Sequence, residues 1–101
     1  MSARDSAANS TTLVKELTVI NRPGLHARPA ANLAKMATRF TCELHIEKDG
    51  EMVNAKSIMG VMMLAAGPGT KLTVHASGVD AKQAIAELEA LAERKFDVSD
   101  D

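Results

Sequence analysis

The chain has 101 residues, a net charge of −1, 46% hydrophobic and 25% charged residues. That describes one domain, large enough to bury roughly 60–65% of its unfolded surface, and the near-neutral charge points away from nucleic acid and anionic membranes. With no Trp, no Tyr and 2 Phe, the base-stacking aromatics of RNA-binding sheets are missing, and no run approaches the ~18 apolar residues of a membrane span.

In chain order, residues 1–12 are rich in Ser, Ala, Thr and Asn and read as a flexible tail rather than a signal peptide. A strand is expected over about Leu13 to Asn21, then a loop to Leu25, then a helix over about Ala27 to Thr38 with Ala30, Leu33, Ala34, Ala37 and Phe40 near one face. Cys42, Leu44 and Ile46 alternate with Glu43, His45 and Glu47, the pattern of a half-buried strand. Asp49-Gly50 is a hairpin signal, so a strand should return through Met52 and Val53. Ser57 opens a short apolar stretch, Ile58 to Ala66, and Gly67-Pro68-Gly69 stops it. Leu72, Val74 and Ala76 alternate as a fourth strand. Asp80 and Gln83 form a capping-box signature before a long amphipathic helix ending near Phe96. Residues 97–101 read as an acidic, solvated tail, leaving 13–96 as the domain. The order β-α-β-β-α-β-α predicts an α+β fold, an antiparallel sheet with helices covering one face.

The stretch Gly24-Leu25-His26-Ala27-Arg28-Pro29-Ala30 carries the chemistry. Proline is tolerated in the first helical turn, so His26 is expected at a helix start. There several unpaired N–H groups and a positive dipole attract anions, phosphate above all. Free imidazole, with a pKa of ~6.5, is a nucleophile near pH 7 and can attack phosphorus without a separate base. Arg28 can donate to phosphate oxygens. The ordinary readings are a surface histidine and a solvated cation. Ser57 is explained as the cap of a short helix; the alternative is a regulatory phosphosite. Helical spacing groups Ile58, Val61, Leu64 and Ala65 on one face and Met59, Met62 and Met63 on another. Either both faces are core, or the methionines form an adaptable docking surface. His45 and His75 fall at strand positions and read as surface residues. Neither shares metal-ligand spacing with Cys42, so no metal site and no cofactor are expected. The single cysteine precludes an internal disulfide and suits a reducing compartment, hence a cytoplasmic protein.

The stretch around His26 and the second motif, Lys56-Ser57-Ile58-Met59-Gly60-Val61-Met62-Met63-Leu64, together resemble the HPr family. These are the histidine-containing phosphocarriers of the bacterial phosphoenolpyruvate-dependent phosphotransferase system, active in sugar transport. The resemblance runs from about Val14 to Phe96. It implies an open-faced β-sandwich, a four-stranded antiparallel sheet with three helices on one face. It also implies a relay component rather than an enzyme. Enzyme I, charged by phosphoenolpyruvate, would phosphorylate His26 on Nδ1, and IIA proteins would accept the group. Arg28 matches the family's supporting arginine, and Ser57 matches the serine modified by HPr kinase/phosphorylase. Leu25, Ile58, Met59, Met62 and Met63 are the candidate docking residues, on a monomer. The presence of His26 distinguishes the chain from the family's histidine-lacking regulatory paralogue. The acidic ending after Phe96 resembles the nitrogen-related branch (NPr).

Overall fold

In the computed structural model, residues 12–98 are described; most of the expected N-terminal tail and residues 99–101 of the expected acidic tail lie outside that range. The element order is β1 (Thr12–Thr18), α1 (Ala27–Ala37), β2 (Glu43–Lys48), β3 (Glu51–Asn54), α2 (Ile58–Met63), β4 (Lys71–Ser77), α3 (Ala81–Glu93) and a terminal 3-10 turn (Lys95–Asp97). The strands form one sheet in the order β1-β4-β2-β3, and every pairing is antiparallel.

Alternation decides which face of the sheet is covered. Leu17, Leu44, Ile46, Leu72, Val74 and Ala76 are buried and meet Leu33, Leu88, Leu91 and Phe96 from the helical layer. Register joins these rows, with Leu17 opposite Leu72 and Ile46 opposite Val74. The other face carries Glu43, His45, Glu47, Thr73 and His75, and no helix among the described residues lies over it. This is an α+β open-faced sandwich, as expected. The Asp49-Gly50 turn also behaves as expected, with φ of 52° and 86° at the two residues, the left-handed pair that a two-residue hairpin requires.

The structure departs from the sequence reading at three element ends. First, β1 stops at Thr18 rather than Asn21, because its partner β4 begins at Lys71. Val19 still exchanges two bonds with the 69–70 turn (Val19 N to Thr70 O, 2.9 Å; Gly69 N to Val19 O, 2.7 Å), and Asn21 is buried in the loop beyond. Second, Asp80 precedes α3, but its side chain makes no cap bond to that helix. Its carboxylate accepts instead from the N–H groups of Thr41 and Cys42, both at 2.9 Å, which ties the start of α3 to the start of β2. Third, the end of α3 turns left-handed, with φ of 57°, 54° and 59° at Lys95, Phe96 and Asp97. Such angles are costly for side chains with a Cβ, and three contacts hold them here. The Asn21 and Asn32 amides donate to Lys95 O and Phe96 O at 2.7 and 2.8 Å, and the Phe96 ring is fully buried. Asp97, expected in a loose tail, pairs with Arg94 at 2.9 Å.

Candidate functional site

His26 occupies the N-cap position of α1, with extended backbone angles and no cap bond from its own ring. Its carbonyl accepts the first helical bond, from Ala30 N at 3.0 Å. The ring is exposed, on the turn of the helix where the dipole is positive. The N–H groups of Ala27 and Arg28 have no carbonyl one helical turn behind them, and Pro29 has no N–H. The anion-binding end is therefore made of two donors, fewer than the several expected, because Pro29 that pre-forms the turn also removes one. Arg28 is exposed and makes no ion pair or side-chain hydrogen bond among the described residues.

The loop before His26 lies directly on the loop after α2. Leu25 N donates to Ala66 O at 2.8 Å. Gly24 has φ of +79°, and a Cβ built there would stand 2.6 Å from Ala66 O. Only glycine tolerates both the left-handed angle and that close approach. The consequence is a junction between the two sequence motifs. Pro23, Leu25, His26, Met62, Ala65 and Ala66 line one open depression. Nothing in the sequence marks Ala65 or Ala66 as part of this junction, and Ala65 holds a φ of 50° that an alanine does not advertise.

Ser57 caps α2, its Oγ accepting from Gly60 N at 3.0 Å. Val61 and Leu64 are buried, at 0% and 2% exposure, while Met59 and Met63 are 72% and 67% exposed and Ile58 and Met62 are 46% and 39%. The helix thus buries one stripe and presents the other. Two expectations change. Ile58 and Ala65 do not join Val61 and Leu64 on the buried side; both are exposed. Leu25, expected at the docking surface, is a core side chain at 4% exposure and offers a partner only the edge it shows in the depression.

Elsewhere, Cys42 is buried, and burial together with Asp80 pushes its thiol up to about 11, which leaves it unreactive. Among the described residues no three His, Cys, Asp or Glu side chains already gather at metal-ligand spacing, and no helix is long and apolar enough to cross a membrane.

Comparison with known proteins matches this arrangement. A family model described as the PTS HPr component phosphorylation site covers residues 13–94. The phosphocarrier protein HPr of Cupriavidus necator is 44% identical over 84 residues, 83% of this chain and 94% of that protein. The structure of HPr-C-His from Thermoanaerobacter tengcongensis superposes with a TM-score of 0.82 at 40% identity, over 86% of this chain and 98% of that one. Crh of Bacillus subtilis, whose structure is described as a swapped dimer, gives a TM-score of 0.67 at 47% identity, over 73% of this chain and 85% of that one. On the sequence match, the shared fold and the two juxtaposed motifs, the chain belongs to the HPr family, the phosphocarrier component of the phosphotransferase system, and is a carrier rather than an enzyme.

Proposed function

We propose that His26 accepts a phosphoryl group from Enzyme I, itself charged by phosphoenolpyruvate, and hands it to IIA proteins. The observation that supports this most is the exposed imidazole at the N-cap position, unbonded by its own ring and bordering a depression shared with Met62. Attack by Nδ1 on phosphorus forms the new N–P bond as the donor's bond to phosphorus breaks. Phosphoryl transfer asks little of the protein beyond position and charge. The Ala27 and Arg28 N–H groups and the Arg28 guanidinium supply the charge. The group stays on an exposed ring, where a second partner can take it.

The exposed stripe of Ile58, Met59, Met62 and Met63 is the docking surface for Enzyme I and the IIA proteins, with Leu25 contributing at its edge. Methionine suits a surface that must fit unlike partners in turn. Ser57, at the rim of this stripe, is the regulatory phosphosite, open to an HPr kinase/phosphorylase. A phosphoryl group there stays compatible with the start of α2 and acts on docking through its added charge. The carrier domain comprises residues 13–96 and works as a monomer in the cytoplasm, alongside the phosphoenolpyruvate that feeds Enzyme I.

The test is labelling with Enzyme I and radiolabelled phosphoenolpyruvate. Wild type should take up one acid-labile, base-stable phosphoryl group per chain. His26→Ala should take up none while melting at an unchanged temperature, since an exposed ring contributes little packing. Undiminished labelling of His26→Ala would overturn the assignment. In parallel, Arg28→Lys should transfer more slowly, because lysine keeps the charge but lacks the planar donor fork.

A further inference from the structure

The face of the sheet opposite the described helices holds a cluster that takes no part in the phosphoryl relay. Since Leu44, Ile46, Val74 and Ala76 point into the core, Glu43, His45 and Glu47 of β2 and His75 and Ser77 of β4 share the opposite face. The β2–β4 register sets His45 directly opposite His75. Such neighbours have Cβ atoms ~4.5–5.5 Å apart, a separation that one ion held at ~2 Å from each of two imidazole nitrogens can bridge. The two rings also line one open depression, together with Thr12, Glu43, Met52 and Ser77.

A second observation concerns the orientation of one ring. His75 Nε2 lies 2.9 Å from Glu47 Oε1, and the two side chains are only 23% and 32% exposed. A carboxylate oxygen accepts, so in the neutral ring this contact favours the tautomer with its proton on Nε2 and its lone pair on Nδ1. Metal-ligating histidines ordinarily have their second nitrogen held in this way, which fixes the tautomer and raises the basicity of the ligating atom. Glu47 therefore prepares His75 to bind a cation.

We propose that His45 and His75 form a two-imidazole site for a late first-row divalent metal ion on the open face of the sheet, with solvent completing the coordination. Imidazole donors rank Cu2+ above Ni2+ and Zn2+ and exclude Mg2+ and Ca2+, which take oxygen ligands. Cys42 faces the core and takes no part. As no three His, Cys, Asp or Glu side chains among the described residues gather to hold a metal, the site is an exchangeable chelate that clasps β2 to β4. It is remote in sequence from His26 and independent of the relay.

The experiment titrates the full, metal-stripped chain with CuCl2 by calorimetry and electron paramagnetic resonance, and with ZnCl2 by NMR of the histidine rings. Wild type should bind one Cu2+ with hyperfine structure from two imidazole nitrogens, and Zn2+ should shift His75 Nδ1 while Nε2 stays protonated. His45→Gln and His75→Gln should each weaken binding by ~10–100-fold. Glu47→Gln should weaken it by ~10-fold with both nitrogens still in the spectrum. His26→Ala should leave the affinity unchanged. Thermal melts of each variant without metal exclude unfolding as the cause. Cu2+ binding to the His45→Gln/His75→Gln double variant as tightly as to wild type would overturn the proposal. So would a wild-type chain that binds only at millimolar concentration, or a spectrum with one imidazole nitrogen or none.

Discussion

Truncating Met59 to alanine separates the two faces of α2. Met59 is 72% exposed, so only about a quarter of the ~1.5–3 kcal/mol that complete burial of a methionine side chain contributes is already realised in the free protein. Met59→Ala should therefore cost at most ~1 kcal/mol of folding stability. A partner that covers the side chain gains the remainder, about 1–2 kcal/mol, so Enzyme I should bind the variant ~5–30-fold more weakly. Leu64, at the end of the same helix and 2% exposed, is the control: Leu64→Ala should cost ~2–5 kcal/mol of stability through the cavity it leaves. Urea unfolding and calorimetric titration with Enzyme I read the two quantities on the same samples. If Met59→Ala loses 2 kcal/mol or more of stability while Enzyme I binding is unchanged, the methionine stripe is core, and the reasoning fails.

Further outcomes follow from Ser57 and Asp80, the residues that precede α2 and α3. Ser57→Ala removes the acceptor for Gly60 N and should lower stability by ~1 kcal/mol; Ser57→Asp keeps an acceptor there, so its melting temperature should hold while its phosphorylation by Enzyme I slows. The Asp80 carboxyl is held below its ordinary 3.8, first by the N–H of Thr41 and then, against desolvation, by Cys42. A depressed folded value means the stabilisation is present above pH 3.8 and is lost as pH falls through the folded value. Urea midpoints should therefore drop as the pH falls below 3.8 in wild type and drop less in Asp80→Asn; parallel curves would show that this carboxylate does not tie α3 to β2.

Period and turn chemistry made the sheet readable. Cys42, Leu44 and Ile46 alternate into the core, and Asp49-Gly50 supplies the two left-handed angles of the hairpin. The place of His26 and Arg28 at a helix start was legible because a proline in the first turn marks such a start. The rest depended on partners distant in sequence. A carboxylate such as Asp80 bonds whichever N–H groups are nearest in space, and here they belong to Thr41 and Cys42. The left-handed turn at Lys95 to Asp97 contains no glycine to announce it and is held by amides of Asn21 and Asn32. Leu25 reads as a surface residue beside His26, yet its N–H anchors it to Ala66 and its side chain is core. Helical spacing alone could not say which stripe of α2 faces inward; packing against α1 and β3 buries Val61 and Leu64.

One particular ring, that of His26, is assigned the phosphoryl group, and ring-specific NMR reads that assignment without ambiguity. The chain has 3 histidines, so 15N-labelled protein charged by Enzyme I and phosphoenolpyruvate gives three distinguishable imidazoles. Charging should shift Nδ1 of His26 and split it by coupling to phosphorus, with His45 and His75 unmoved. A phosphorus coupling on His45 or His75, or charged protein with no coupling on any imidazole, would contradict the account.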